Sequence, residues 1–488
     1  MRRALKKLLT DTFEVKGIWY LPGSSMTKES VEGILRYSPN EITLELIGTF
    51  HGHSFVDMKD PSPLTIYGFS DHGEWFTLLH CLPAQALISA PGFDTITYAV
   101  AYFYAGTQLV EDESAALVKN ASFSLTNLDA WLDYKIIKQD GELGTKKLML
   151  TIDPNAFTGD RKLLHIRSRA LKLSEEIRYN LDFPKEAFLG EKTEIIVQRF
   201  YRFSSESEDL LSPKYLYETI QQLRQLLTLL IGYAMYFSYI EFQFPNTKET
   251  TPDGKEIEHK HFCRIFFSQA GDPFKSRKRL RDAQRAILIK RYDLSADMES
   301  VFDHWFQEQE QLSEIASPYI SDLYLPAYVE NKYLNVVRGL ETYHRFFISS
   351  PQEDDPLDSD RASILSFINE NIPEANRDHF IKRVCYEDEK SFRKRLKDLF
   401  HLVPANLVIR LFGEMNATQK NKLISTIVDT RNYFTHRDDK AKYANVVSDD
   451  KTLDVLTDQL SVLLQYFCLT HIGIDPAVVE QRLLDQLH

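Results

Sequence analysis

Two different spacings of hydrophobic residues divide the chain. From residue 11 to about 135, short aromatic and β-branched runs alternate with polar positions and are separated by Gly, Pro, Asn and Ser. Alternation of this kind is typical of β-strands, because successive side chains point to opposite faces of a sheet. The runs FEVKGIWYLP, from Phe13, and EITLELIGTF, from Glu41, show it clearly. The pattern predicts an antiparallel sandwich or barrel.

The pattern becomes mixed between residues 136 and 275. KKLMLTID and EKTEIIVQRFYRFSS are strand-like, whereas residues 216–240 predict one long buried helix with Gly232 allowing close packing. The uncharged part of that helix, residues 225–240, is shorter than the roughly 18–20 residues that span a bilayer. We therefore expect a core helix and no membrane segment.

From residue 295 onwards the apolar spacing becomes helical. Val329, Tyr333, Val337, Leu340 and Phe347 give one helix its apolar face, and Ser295 is placed to cap the helix before it. Further helices are predicted from residues 362 and 390, around residue 431, over residues 453–467 and from residue 476. Such helices with short links indicate a bundle. The sequence thus predicts an α+β multidomain protein, β-rich over residues 1–295 and all-α over residues 296–488.

Composition and charge narrow the function classes. The net charge of −12 and the pI of about 5.7 argue against a nucleic-acid binder with a basic surface throughout, but they allow a local basic cleft. The four cysteines lie far apart and form no CxxC pair, which fits a reducing compartment. The N-terminus has no apolar run of the signal-peptide type. We therefore expect a cytoplasmic protein.

Two basic segments and one His/Cys group are further candidates for chemistry. Residues 161–172 and 275–291 are rich in Lys and Arg and would form either solvated faces or cradles for an RNA backbone. His259, His261 and Cys263 alternate on one strand face and have the donor types of a zinc site. No second ligand cluster follows them, so we predict no metal site and no cofactor.

The helix around residue 431 carries the most informative pattern. Arg431 projects into an apolar stripe, and a guanidinium buried there needs an anionic partner. The neighbouring row of side chains along the helix is wholly polar. The stripe comprises Leu423, Ile424, Ile427, Val428 and Phe434, and the polar row comprises Ser425, Asp429, Asn432 and His436.

Arg431 and His436 are separated by roughly 140° around an ideal helix. They converge on one ligand only if the helix loosens at its end or if a second copy of the chain supplies the missing half. A plain structural interpretation stays open beside these: Arg431 pairs with Asp429 or another neighbour, and His436 is a surface residue at the helix C-terminus.

Residues 431–436, Arg-Asn-Tyr-Phe-Thr-His, resemble the R-N-x-x-x-H ribonuclease motif of HEPN domains. That family is an all-α bundle that usually pairs two motifs across a dimer interface. The resemblance implies RNA cleavage without a metal, in which Arg431 holds the phosphate, Asn432 orients it and His436 moves the proton. It also implies a homodimer or higher oligomer.

Other residues are candidates for the surroundings of this motif. Arg338 and His344 satisfy a looser R-x5-H form without the Asn, and we rank that pair below Arg431 and His436. The predicted site-lining residues are Glu341, His344, Asp429 and Tyr433, and the predicted substrate-binding residues are Arg393, Lys394 and Lys397.

The N-terminal region is similar to a second known pattern. Gly17-Ile18-Trp19, Gly33, Gly68 and Trp131 fall as in the N-terminal domain of ApeA-like proteins, which are phage-defence proteins with a C-terminal HEPN domain. The resemblance implies that this region senses a trigger, such as one derived from a phage, or restrains the nuclease. A non-catalytic HEPN protein that recognises a protein or nucleic-acid partner is the alternative.

Overall fold

The computed structural model forms two units, Met1–Gln307 and Glu308–His488. It describes residues 4–487 except 25, 27, 51–61, 88–90, 133–136, 141–148, 153–160, 183–193, 253, 272–285, 295–296, 326, 349–356, 375, 378–379, 382–389 and 438. The predicted cap at Ser295 and most of the basic segment 275–291 lie outside the described residues.

Antiparallel strands dominate the first unit and helices make up the second. The described strands are β1 (Phe13–Tyr20), β2 (Val31–Tyr37), β3 (Ile42–Ile47), β4 (Leu64–Ser70), β5 (Trp75–Leu87), β6 (Thr95–Ala99), β7 (Tyr102–Gly106), β8 (Asn120–Leu125), β9 (Ile137–Asp140), β10 (Met149–Ile152), β11 (Arg161–Ile166), β12 (Leu171–Asp182), β13 (Glu194–Ser205), β14 (Phe237–Gln243), β15 (Thr247–Thr250), β16 (Glu256–His259) and β17 (Phe262–Phe267). The described α-helices are α1 (Leu128–Leu132), α2 (Pro213–Ile231), α3 (Met298–Gln307), α4 (Gln309–Tyr324), α5 (Val329–Tyr343), α6 (Leu357–Asn371), α7 (Phe392–Leu402), α8 (Ala405–Phe412), α9 (Ala417–His436), α10 (Asp450–His471) and α11 (Pro476–Gln486).

Six strands close into a barrel in the order β5-β4-β1-β2-β3-β6, and the second half of β5 pairs with β6 to complete it. Alternate residues of these strands fill the interior, among them Trp19, Leu35 and Leu78, which are fully buried. A Cβ at Gly68 would collide with the Trp19 ring, so the glycine makes room for that ring. The barrel confirms the predicted β-rich N-terminal region.

The remaining main strands extend from the barrel as an open sheet. The order β11-β12-β13-β8-β14-β17-β7 joins the barrel where β7 pairs with the first half of β5. One face of this sheet is apolar and buried, with Phe123, Phe203, Phe242 and Ile265 almost inaccessible to solvent. The opposite face carries polar side chains, among them Arg202, Glu241 and Arg264.

The predicted helix over residues 216–240 is shorter than expected. Ser212 caps α2 by accepting a hydrogen bond from the Tyr215 N–H (3.0 Å), and Gly232 ends it in the left-handed region with φ of 82°. From Phe237 the chain is β14, in which Phe237, Tyr239, Ile240 and Phe242 are buried. No described helix is long and apolar enough to cross a bilayer.

Helix α3 packs within the first unit. Trp305 donates its indole N–H to the Gln222 carbonyl at 3.1 Å, and Phe302 lies against Trp131 with ring centroids 6.1 Å apart. The division by contacts therefore falls after Gln307, whereas helical spacing in the sequence begins near residue 295.

The second unit is a helical bundle, as predicted. Helix α5 packs against α4 and α10, and it buries Tyr333, Val337 and Leu340. A short π-helix, His344–Ile348, continues it. Helix α9, which carries the Arg431 motif, contacts α5 and α7. These three helices position the candidate site.

Candidate active site

Helix α9 holds the whole motif in regular helical geometry. Its start is fixed by a capping box, in which Asn416 and Gln419 each accept a 2.9 Å hydrogen bond from the backbone N–H of the other. Its end is Arg437, in the left-handed region with φ of 52°, whose N–H donates to the Tyr433 carbonyl at 2.8 Å. The helix therefore remains wound through His436.

Arg431 lies at the edge of the apolar stripe and has an anionic partner. Its Nη2 donates to Glu341 Oε2 at 3.3 Å, its Nη1 donates to Asn432 Oδ1 at 3.1 Å, and the guanidinium lies 5.8 Å from the Phe392 ring centre. The Arg431 side chain is 31% exposed, so the fork can still reach a ligand. The sequence predicted that Arg431 needs an anionic partner, and that partner is Glu341 on α5, not Asp429.

Asp429 and the adjacent Thr430 bind the segment that follows the motif. Asp429 Oδ2 accepts hydrogen bonds from the backbone N–H (3.2 Å) and the side-chain amide (3.0 Å) of Asn445. Thr430, fully buried, accepts one from the Val447 N–H at 3.0 Å. Asp429 therefore holds a loop in place and does not line the cleft described next.

A cleft of about 460 Å³ opens in front of Arg431 and Asn432. Arg393 is held at its rim by a 2.6 Å hydrogen bond from Nη1 to Ser425 Oγ. Among the described residues that line the cleft, four carry cationic side chains and one, Glu341, carries a carboxylate, so an anionic ligand is electrostatically favoured there. The lining residues are Glu341, Lys390, Ser391, Phe392, Arg393, Arg395, Val428, Arg431 and Asn432.

The remaining predicted catalytic residue lies elsewhere on the helix. His436 is exposed at the last position of α9 and is not among the residues that line the cleft. Tyr433 is half-buried, with its ring 5.2 Å from that of Phe434 and 6.5 Å from that of Tyr443. A single chain thus brings Arg431 and Asn432 together but places His436 further around the helix.

His344 is buried behind the cleft and does not line it. Its Nε2 lies 2.9 Å from Asp398 Oδ2, and the same oxygen accepts a 2.7 Å hydrogen bond from Lys390 Nζ. Burial lowers the pKa of the His344 ring, and the carboxylate partly opposes that shift. Of the three predicted substrate-binding cations, Lys394 and Lys397 are exposed on α7 outside the cleft and only Arg393 lines it.

Sequence reasoning missed Lys390 and Arg395. Arg395 is 3% exposed, and its Nε donates to the Lys390 carbonyl at 2.8 Å. The sequence does contain a pattern that identifies Arg395. Residues 392, 395, 396 and 399 follow the i, i+3, i+4, i+7 spacing of a buried helix face. An arginine on such a face needs partners, and that need is itself a mark of a possible site.

The three donors of the considered zinc site do not converge. His259 ends β16 and lies 3.1 Å from Glu249, His261 lies between the Thr247 and Thr107 hydroxyls, and Cys263 is buried in β17. In the part of the chain that the structure describes, no group of three His, Cys, Asp or Glu side chains is placed to hold a metal ion.

The first unit contains a barrel, and the second is a helical bundle with a cationic cleft beside the R-N-x-x-x-H motif. This combination defines a HEPN-type protein. Residues 14–305 match the family model for ApeA N-terminal domain 1, and residues 334–477 match the model for the Apea-like HEPN domain. The chain belongs to the ApeA family of HEPN proteins. No curated protein and no solved structure matches it. Membership suggests a phage-defence protein, and HEPN domains are generally ribonucleases that often dimerise.

Proposed function

We propose that this protein is an anti-phage endoribonuclease that cleaves RNA by metal-independent acid–base catalysis. The observation that carries the proposal is the cationic cleft over Arg431 and Asn432, in a chain whose net charge is −12. A phosphodiester is the anion that such a cleft suits, because a guanidinium offers two parallel donors to phosphate oxygens.

The chemistry assigns a role to each motif residue. The ribose 2′-OH loses its proton to a base and attacks the adjacent phosphorus, and the 5′-oxygen leaves with a proton from an acid. His436 exchanges these protons, because an imidazole ring can both accept and donate a proton. Arg431 binds the phosphate oxygens, and Asn432, 3.1 Å from its guanidinium, fixes the orientation of the fork. The exposed part of the Arg431 guanidinium reaches the phosphate while Glu341 holds Nη2.

The regular geometry of α9 supports a composite site made by two copies of the chain. Because the helix remains wound through His436, Arg431 and His436 stay roughly 140° apart on one copy. We propose that His436 of a second copy completes the cleft.

Mixing the Arg431→Ala and His436→Ala chains should then restore part of the cleavage that each lacks, since one of the two sites of the mixed dimer regains both residues. Mixed dimers that stay inactive would contradict a shared site.

The primary test is RNA cleavage by His436→Ala in the presence of EDTA, measured beside a thermal melt. His436 is exposed at the end of α9, so the melting temperature should stay within about 2 °C of the parent, while cleavage falls roughly 10²–10⁴-fold. His401→Ala is the matched control, because His401 is also exposed in the bundle and lies outside the cleft. Parent-level cleavage by His436→Ala would remove this residue from the mechanism.

A second candidate function is RNA or protein binding without cleavage. The Arg431–Glu341 ion pair favours it, because that pair neutralises the proposed phosphate clamp in the free protein. Arg431→Lys separates the two candidates, since it keeps the charge but loses the bidentate fork. A nuclease should lose at least tenfold in cleavage, whereas a charge-driven binder should retain its affinity for RNA within about twofold.

A further inference from the structure

The polar face of the open sheet in the first unit contains a second cationic cavity, of about 660 Å³. Its floor is a cross-strand row over four adjacent strands, in which Arg202, Ser122, Glu241 and Arg264 lie directly opposite one another. Residues opposite each other in a sheet are close enough for their side chains to act on one ligand. The residues that line the cavity are Leu5, Lys6, Ser122, Arg202, Glu241, Gln243, Lys260, His261, Phe262 and Arg264.

Arg264 is preorganised at one end of the row. Its Nε donates to Glu241 Oε2 at 3.1 Å, its Nη1 donates to the Lys7 carbonyl at 3.0 Å, and its guanidinium lies 4.4 Å from the Tyr239 ring centre. Both members of the Arg264–Glu241 pair are only 15% exposed. A charged group fixed by three contacts loses little conformational entropy when it binds a ligand.

The rim is fixed by the N-terminal segment and by the residues before β17. Glu74, 1% exposed, accepts hydrogen bonds from the N–H groups of Ala4 (3.3 Å) and Leu5 (3.0 Å), which positions Lys6 over the cavity. On the other side, the His261 ring lies 2.8 Å from the Thr247 hydroxyl and is followed by Phe262.

The charge of the lining indicates a multiply charged anion. Among the described residues that line the cavity, four are cations, Lys6, Arg202, Lys260 and Arg264, and one is a carboxylate, Glu241, although the chain as a whole is acidic. The volume falls in the range of small-molecule sites and exceeds what a single phosphate needs. Gln243, held by a 3.1 Å hydrogen bond from Asn120, presents an amide, and Phe262 presents a ring on which a base can stack.

We propose that this cavity binds a nucleoside polyphosphate, with the phosphates on the four cations and the base against Gln243 and Phe262. The site lies in the N-terminal region and belongs to the first unit alone. Binding here is measured directly and does not depend on whether the HEPN domain cuts RNA.

The test is isothermal titration calorimetry on the full chain with ATP, inorganic tripolyphosphate and adenosine as probes. ATP should bind best, because it alone uses both the cations and the base contacts, and adenosine should bind weakest. The Lys6→Gln/Lys260→Gln double variant should weaken ATP binding roughly tenfold or more, because the loss of one charged hydrogen bond has about this effect on affinity. Both lysines are exposed, so the fold should be retained.

The control is Lys248→Gln/Lys255→Gln, which removes the same charge from exposed positions of the β15–β16 hairpin outside the cavity. ATP affinity in this control should stay within twofold of the parent. Equal losses in the two double variants, or no binding of ATP or tripolyphosphate to the parent, would overturn the proposal. Tripolyphosphate that binds as tightly as ATP would overturn the base contact.

Discussion

Arg431 shows how much of the candidate site follows from one residue and its neighbours. The apolar stripe around it predicted that the guanidinium needs an anion, and Glu341 supplies that anion 3.3 Å away on another helix. Sequence spacing cannot choose between Asp429 on the same helix and Glu341 on a different one, because that choice depends on how α5 and α9 pack. The need for a partner was predictable, and its identity was not.

Asp429→Ala should destabilise the protein by about 1–3 kcal/mol, because two donors of Asn445 lose their charged acceptor. Denaturant unfolding measures this directly. Cleavage per folded molecule should change little, since Asp429 lies outside the cleft. Thr430→Val, which removes the acceptor for Val447, is the companion variant and should destabilise similarly. An Asp429→Ala chain of normal stability without activity would instead place Asp429 in the chemistry.

His344 should make stability depend on pH. Burial lowers its pKa below the ordinary 6.5, so the unfolded chain binds a proton more readily than the folded one. The stabilisation is present above pH 6.5 and is lost as the pH falls through the folded pKa. His344→Gln should flatten the decline of the melting temperature between pH 7 and 5, and His401→Gln, at an exposed site, should leave it unchanged. Equal slopes for parent and His344→Gln would contradict this linkage.

At the scale of elements, Gly339 decides how closely helix α5 approaches its neighbours. A Cβ at this position would lie 2.8 Å from Leu464 Cδ2 and 3.0 Å from the Ile315 carbonyl oxygen. Gly339→Ala should therefore cost about 1–3 kcal/mol of stability through overpacking, despite the better helix propensity of alanine. Arg338→Ala, at the exposed neighbouring position, should stay within about 0.5 kcal/mol. Chemical denaturation of both variants checks this, and a stabilised Gly339→Ala chain would contradict the close packing.

The elements also show where periodicity succeeds and where it fails. Alternation predicted the β-rich region correctly because one face of each barrel strand is buried. It failed over residues 232–240, where β14 follows α2 after a short turn and both are apolar. Short buried strands and helix ends have the same hydrophobic content, and only Gly232 in the left-handed region marks the change.

At the scale of the whole molecule, the division into two units makes restraint of the nuclease testable. We propose that residues 1–307 hold the HEPN unit inactive. Expression of residues 308–488 alone should then be more toxic to cells than expression of the full chain, and the same fragment with His436→Ala should not be toxic. Circular dichroism must show that the fragment is helical. A folded fragment no more toxic than the full chain would argue against restraint.

Strand β5 links the barrel and the open sheet of the first unit. Its first half pairs with β4 and β7, and its second half pairs with β6, so the same strand belongs to the barrel and to the open sheet. Breaking the barrel at β5 therefore also removes the edge partner of β7. The barrel and the open sheet should therefore open together, and their amide hydrogens should exchange with the same free energy of opening. A molecule bound on the open sheet would then slow exchange inside the barrel, at strands that it never touches.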